Sequence, residues 1–157
     1  MLLQAHLCSH NLMMIAEKKF TIDSSRERIW SLMLKAVLRF MPFERMEVLS
    51  EKDFRALLRI RMGFISLPMK VTIEIADISA PKSLVTLIKA KGMRGMLWLN
   101  QKSTFKLTKI GEGKTEIACE LEEEGMAPLL RMFFLPKVKS FAGDAFKSFE
   151  ERLRQWA

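Results

Sequence analysis

The stretch that decides the fold is GMAPLLRMFFLPKVKSFAGDAFKSFEERLRQWA, residues 125–157. At 100° per residue, its apolar side chains fall within a sector of roughly 160°, which predicts one long helix with a wide buried face. The side chains of this face are Leu130, Phe134, Val138, Phe141, Ala142, Ala145, Phe146, Phe149 and Leu153. Pro128 suits a first helical turn, whereas Pro136 should kink the helix or split off an opening turn. So wide an apolar face requires a large partner surface.

That surface is predicted upstream, where apolar and polar residues alternate. From Met46 onward the pattern has a period of two, which is typical of half-buried antiparallel strands. In the segment 54–64 the even-numbered residues are apolar and the odd-numbered ones are largely basic. About six strands are predicted in this region, and turn signals at 66–68, 80–83, 94–95 and 111–114 separate five of them.

A further strand is predicted at 18–23, before this region. The cap signal Asp23-Ser24-Ser25 then opens a helical segment that closes by Pro42, which we interpret as two short helices forming a V. The order of elements therefore predicts an α+β fold, with a curved antiparallel sheet of about seven strands wrapped around the C-terminal helix. Because such a sheet cannot close fully around a helix, the space left between them is the candidate site.

The length of 157 residues fits one domain. We expect residues 1–15 to form a disordered leader before a single domain, 16–157. Residues 1–12 are either part of the native protein or the result of a start site assigned too early, with Met13 or Met14 as the true start. The sequence has no secretory-signal pattern and no apolar run long enough to span a bilayer, so a cytoplasmic protein is expected. The 12 Met and 11 Phe indicate either a Met-rich core or a deformable ligand cavity.

Residues 20–30, FTIDSSRERIW, together with Pro42, Gly63 and Gly125, resemble the CoxG family, which is associated with carbon monoxide dehydrogenase. That family belongs to the START-like SRPBCC superfamily, which has the helix-grip fold. The resemblance covers residues 16–155. It implies a domain that binds a hydrophobic molecule such as a lipid, isoprenoid or quinone, or that assists the maturation or membrane docking of a redox enzyme. It implies no catalytic motif.

The predicted ligand cavity lies between the sheet and the helix. We expect its lining to include Met62, Phe64, Met69, Val71, Met93, Trp98, Phe105, Phe134, Val138 and Phe141. Met126, Leu129, Met132 and Phe133 fall outside the main apolar sector of the helix. They either pack against the short helices or belong to a mobile apolar entrance, formed by Met132 and Phe133 where Pro136 loosens the helix.

The net charge of +8 is concentrated in the middle of the chain, where residues 51–110 hold 12 Lys and Arg against 4 Asp and Glu. The predicted basic sheet face consists of Arg55, Arg59, Arg61, Lys70, Lys89 and Lys91. It either attracts an anionic membrane or an acidic protein, or is a solvated face balanced by Glu74, Glu116 and Glu120. Nucleic acid is not an expected partner, because the neighbouring phenylalanines have the opposite parity and cannot stack on bases there.

We predict no catalytic residue, no cofactor and no metal site. The histidines are His6 and His10, both in the leader, so a nucleophile in the domain would lack a histidine base. The spacing of His6, Cys8 and His10 matches no structural zinc pattern. Of the four glutamates Glu120 and 122–124, Glu120 and Glu122 alternate with apolar neighbours on a strand and are expected on a solvated face. Binding of a hydrophobic molecule is therefore the leading hypothesis and an adaptor role the second; a small hydrolase or cyclase is the third, which the fold permits.

Overall fold

The computed structural model describes residues 13–39, 43–62 and 64–157. Its elements are β1 (Met13–Ile22), α1 (Arg26–Arg39), β2 (Phe43–Val48), β3 (Asp53–Met62), β4 (Ile65–Ser79), β5 (Ser83–Gly92), a 3₁₀ turn (Met93–Gly95), β6 (Leu97–Gly111), β7 (Lys114–Met126) and α2 (Pro128–Trp156). The strands form one antiparallel sheet in the order β1-β7-β6-β5-β4-β3-β2. The predicted α+β fold, a seven-stranded antiparallel sheet with a long C-terminal helix, is confirmed.

The sheet is a meander from β2 to β7, and β1 returns to pair with β7. The alternation of side chains gives each strand one face toward α2 and one toward solvent. In β7 the residues Thr115, Ile117, Cys119 and Leu121 are all buried, whereas the residues between them are half-buried. The helix α2 lies on the concave face formed in this way and contacts β1, β6, β7 and α1.

Within the described residues, a single helix of 14 residues follows β1, instead of the two short helices that the sequence predicted. Phe40 and Pro42, where the second helix was expected to end, lie outside the described residues. The predicted cap is present, since the Arg28 N–H donates a hydrogen bond to Ser25 Oγ at 3.2 Å. The buried side chains Ile29 and Met33 then join the core.

The helix α2 is continuous over 29 residues and is not split at Pro136. Proline has no N–H to donate to the carbonyl four residues earlier, so the Met132 carbonyl lacks its helical partner. The second half of α2 packs through aromatic contacts: the Phe149 ring lies 5.1 Å from that of Phe105 and 6.3 Å from that of Phe20. These contacts hold the end of the helix on the sheet.

Two predicted boundaries were wrong. The first strand begins at Met13, so residues 13–15 belong to the sheet and not to the leader, and Ile15 is buried. The strand β4 begins at Ile65, so Pro68 lies within a strand and not in a turn. Pro68 is tolerated because β5 pairs with β4 only from Lys70 onward, which leaves Pro68 at an edge where no donor is needed.

Candidate functional site

A cavity of about 50 Å³ lies between the concave face of the sheet and the first half of α2. Its walls come from five strands and one helix. The lining residues are Leu58, Ile60, Met69, Val71, Ile88, Ala90, Leu99, Gln101, Leu121, Leu130, Lys137, Val138, Phe141, Ala142, Ala145 and Phe146. Because all but two of these side chains are apolar, the cavity suits an apolar molecule or an apolar chain.

Four of the ten residues predicted to line the cavity do so: Met69, Val71, Val138 and Phe141. Met69 and Val71 project from β4, and Val138 and Phe141 face them from α2. Their role in binding a ligand stays a prediction. The side chain of Met62 lies outside the described part of the chain, so its position cannot be compared.

Two predicted lining residues lie in turns and point to solvent. Phe64 is 99% exposed, because β3 ends at Met62 and the chain reverses before the alternation reaches Phe64. Met93 is exposed in the 3₁₀ turn, where its φ of 50° breaks the extended backbone that the alternation requires. Neither residue lines the cavity.

Three other predicted residues lie in the fold away from the cavity. Trp98 has the parity of the outer face, between the buried Leu97 and Leu99, and its ring lies 3.0 Å from where a Cβ on Gly125 would stand. Phe105 is fully buried but packs against the second half of α2. Phe134 is half-buried, with its ring centroid 6.4 Å from that of Phe133.

The lining residues that the sequence did not identify come mainly from the central strands. Ile88 and Ala90 of β5, and Leu99 and Gln101 of β6, follow the same alternation that correctly placed Met69 and Val71. The alternation of inward and outward side chains along these two strands therefore predicts that these residues face the helix. The cross-strand register was not available from the sequence, and it is the register that brings these residues opposite one another.

Gln101 and Lys137 are the polar groups on the cavity wall. Gln101 is 7% exposed and lies beside Ile88 on one side and Glu123 on the other. Lys137 is exposed on α2 and reaches the cavity from the solvent side. An amphiphilic molecule could place its polar end near these two side chains while its apolar part fills the cavity.

Glu123 is 2% exposed and forms an ion pair with Arg131 of α2. The alternation predicted an outward position for Glu120 and Glu122 and did not identify Glu123 as buried. A β-bulge between the pairs Asn100–Gly125 and Gln101–Glu123 leaves Glu124 unpaired. Glu123 keeps the inward parity of Leu121, and Arg131 stabilises the buried charge.

The three predicted entrance residues lie on the solvent side of α2, near the cavity. Met132 is 74% exposed, Phe133 is 63% exposed, and Pro136 is also exposed. The alternative interpretation, packing against the helix after β1, does not fit the exposure of Met132 and Phe133, whereas Met126 is buried and Leu129 is half-buried. Whether a ligand enters here stays a prediction.

The six residues of the basic sheet face are all exposed on the outer side of β3, β4 and β5. Lys70 lies directly opposite Lys91, an arrangement of like charges that is unfavourable in a sheet unless an anion is nearby. Arg59 is paired with Glu44 through an Nε to Oε1 distance of 2.8 Å. The hydrogen bond from Arg59 lowers the pKa of Glu44.

Cys119 is a buried thiol on the concave side of β7. Burial raises its pKa to about 12, so the thiol stays protonated at neutral pH and is a poor nucleophile. Among the described residues, no three His, Cys, Asp or Glu side chains are grouped closely enough to hold a metal ion. His6, Cys8 and His10 lie outside the described residues.

No helix in the described ranges combines the length and the apolar character needed to cross a bilayer.

Solved structures share this fold at low sequence identity. A conserved protein from Geobacillus kaustophilus aligns with a TM-score of 0.69 at 19% identity, over 88% of this chain and 94% of that one. A START superfamily protein from Mycobacterium smegmatis aligns with a TM-score of 0.63 at 16% identity, over 89% and 94%. A truncated norcoclaurine synthase from Thalictrum flavum aligns with a TM-score of 0.61 at 9% identity, over 90% and 93%.

These alignments identify the fold as the helix-grip fold of START-like proteins and, at such identities, show nothing finer. One of these neighbours is by name a synthase, so the fold alone does not separate binding proteins from enzymes. No protein-family model and no curated protein sequence matches the chain. None of the three structures is named as a CoxG protein, and that resemblance stays a prediction.

Proposed function

We propose that this protein binds a hydrophobic or amphiphilic small molecule reversibly in the cavity between the sheet and the first half of α2. The observation that carries the proposal is the apolar cavity itself, which a well-packed core would have filled. The candidate ligands are lipid-like: a fatty acyl chain, an isoprenoid or a quinone. No group in the cavity is required to react.

The cavity of about 50 Å³ has room for a few water molecules, so a lipid-like ligand must enlarge it. The lining supports such an adjustment. Met69 is unbranched and flexible, and Phe141 is only half-buried. Burial of apolar ligand surface at about 25 cal/mol per Å² then supplies the affinity.

The proposal is tested by titrating the purified protein with Nile red and then displacing the dye with a fatty acid, a polyisoprenol or a short-chain quinone. The variant Ala142→Leu places a larger side chain in the cavity and is expected to weaken dye binding at least tenfold, about 1.4 kcal/mol or more. The matched control is Ala118→Leu on the outer face of β7, which should bind the dye like the unmodified protein.

Native mass spectrometry of the protein as purified gives an independent readout. We expect a non-covalent apolar species that solvent extraction removes and that Ala142→Leu does not retain. The proposal is contradicted if the dye binds both leucine variants equally, or if no apolar compound displaces it.

A second candidate function is that of an adaptor, favoured by the facing lysines Lys70 and Lys91. In this alternative the basic sheet face docks an acidic protein, such as a redox enzyme, or an anionic membrane, and the cavity is incidental. The CoxG resemblance supports the redox-enzyme version. Replacing Arg55, Arg61 and Lys70 with Gln should then abolish salt-sensitive partner binding while dye binding is retained.

A further inference from the structure

One end of the sheet carries a group of exposed apolar side chains that we call the apolar rim. The apolar rim consists of Phe64, Ile65, Met93, Met96, Met132 and Phe133. These residues come from three separate segments: the β3–β4 turn, the β5–β6 turn and the first half of α2. Large apolar side chains that gather at one place on a surface mark an interaction site more often than isolated ones do.

The topology brings these three segments together. Turns between alternate antiparallel strands lie at the same end of a sheet, so the β3–β4 turn, the β5–β6 turn and the β7–α2 connection share one end. A Cβ on Gly92 would lie 3.0 Å from the Pro68 carbonyl oxygen, so the two hairpins touch. The Ala127 N–H donates to the Trp98 carbonyl at 2.9 Å, which joins the start of α2 to the start of β6.

The charges beside the apolar rim have one sign. The segments 61–66, 91–96 and 128–139 contain no Asp or Glu, and their basic residues are Arg61, Lys91, Arg94, Arg131, Lys137 and Lys139. Arg131 is paired with Glu123, but Arg61, Lys91 and Arg94 form no ion pair with another described residue. Exposed apolar side chains flanked by cations match the surface of an anionic bilayer, which offers an acyl interior below a layer of negative headgroups.

The opposite end of the sheet provides a comparison within the same molecule. It also has exposed apolar side chains, at Leu49, Ile78 and Ile110. The segments around them, 47–53, 77–83 and 110–114, contain both Asp or Glu and Lys. Mixed charge gives this end no net attraction to an anionic surface, so exposure of apolar groups alone does not distinguish the two ends.

We infer that the apolar rim inserts into the surface of an anionic phospholipid membrane, with Arg61, Lys91 and Arg94 contacting the headgroups. Four residues that line the cavity lie close to the apolar rim along their strands or helix: Ile60, Met69, Ala90 and Leu130. Docking in this orientation would place the cavity beside the acyl chains. The membrane interaction does not depend on the proposed ligand function, and either can fail without the other.

The test is sedimentation of the full chain with vesicles of phosphatidylcholine, with and without phosphatidylglycerol. We expect binding to the anionic vesicles that weakens as salt increases. The rim variant Phe64→Ser/Ile65→Ser/Met96→Ser should bind at least about tenfold more weakly, because three apolar side chains that enter the membrane are lost. The matched control, Leu49→Ser/Ile78→Ser/Ile110→Ser, should bind like the unmodified protein.

All six changes are at exposed positions, and circular dichroism melting checks that each variant remains folded. Retained Nile red binding by the rim variant would show that the cavity is intact, which separates this inference from the ligand proposal. A second readout is Phe64→Trp, whose fluorescence should be quenched by phospholipids with brominated acyl chains, whereas Ile110→Trp should add no quenching. The inference is overturned if the protein does not sediment with anionic vesicles at low salt, or if the rim and control variants bind equally.

Discussion

The two halves of α2 contact the same sheet in different ways. Beyond Ala145 and Phe146, which form the end of the cavity wall, the second half buries Phe149 and Leu153, and Phe149 packs on the rings of Phe105 and Phe20. The first half covers the cavity and exposes Met132 to solvent. One continuous helix thus combines an anchor that provides stability with a cover that leaves space for a ligand.

The largest expected effect comes from truncating one leucine in each half of the helix. Leu153 and Leu130 are both buried, but Leu130 already borders empty space. Leu153→Ala should lower the free energy of unfolding by about 4 kcal/mol and Leu130→Ala by about 3 kcal/mol, because fewer contacts are lost beside a cavity. Urea denaturation of both variants measures this difference. Equal losses would mean that the two halves are packed alike.

Leu130→Ala also enlarges the cavity, so we expect it to bind Nile red at least as well as the unmodified protein does. Leu153→Ala should leave dye binding unchanged under conditions in which it is folded. Improved dye binding by the Leu153 variant would mean that the dye binds under the second half of the helix, which contradicts the proposed site.

The next effect concerns the ion pair that joins the first half of α2 to the sheet. Arg131→Met leaves the carboxylate of Glu123 buried without its cation. The expected loss is about 2–3 kcal/mol, below the usual range for a fully buried pair because Arg131 is itself half exposed. Thermal denaturation measures it, and the double variant Glu123→Gln/Arg131→Met should regain most of the stability. No regain would indicate that Arg131 acts through packing.

The second half of α2 also forms an ion pair with the sheet, and its carboxylate is less buried than that of Glu123. Glu150 lies 3.0 Å from Lys18 of β1 and also contacts Arg154. Burial raises the pKa of Glu150, but the hydrogen bonds from Lys18 and Arg154 outweigh burial and the net pKa is lowered. Because a lowered carboxyl pKa stabilises the charged folded state, this contribution is present above the unfolded value of 4.5 and is lost as the pH falls below it.

Glu150→Gln should therefore cost about 0.5–1 kcal/mol near neutral pH, as expected for a partly exposed pair. The difference from the unmodified protein should shrink as the pH is lowered from 6 through 4 toward the folded pKa, when both are compared by urea denaturation. A difference that stays constant with pH would exclude the charge of Glu150 as its source.

The smallest expected effect is chemical, at the thiol of Cys119 below the second half of α2. With a pKa of about 12, this thiol should react negligibly with a disulfide reagent at pH 8 while the protein is folded. Because the raised pKa favours the neutral thiol in the folded state, its contribution to stability is present below about pH 9 and is lost as the pH rises toward 12. The reaction should be followed in a Cys8→Ser variant. Fast reaction without denaturant would mean that the core beneath the helix opens.

The sequence predicted the fold well because the alternation in the strands and the helical period are both strong signals. The parity of Arg55, Arg59 and Arg61 placed them correctly on the outer face. The helix face was also right, since Val138 and Phe141 reach the cavity. Periodicity reports which face a residue occupies, and that information is local to each element.

The site was predicted only in part because its composition depends on turns, bulges and register. The cavity position predicted for Phe64 was wrong because the strand ended two residues earlier. The one predicted for Met93 was wrong because its backbone is left-handed. Trp98 was assigned without regard to its parity between Leu97 and Leu99. None of the local patterns could show that the buried Glu123 meets Arg131, because that contact joins two elements across a bulge.

The most direct test of a ligand site under the first half of α2 is methyl NMR of the protein labelled at its methionine methyl groups, titrated with a neutral apolar ligand such as a short-chain quinone. Met69 lines the cavity under this half of the helix, whereas Met33 is equally buried in α1 away from it. We expect the Met69 signal to shift saturably while the Met33 signal does not move. Binding that leaves Met69 unchanged, or that moves Met33 as much, would contradict a ligand site between the sheet and the first half of the helix.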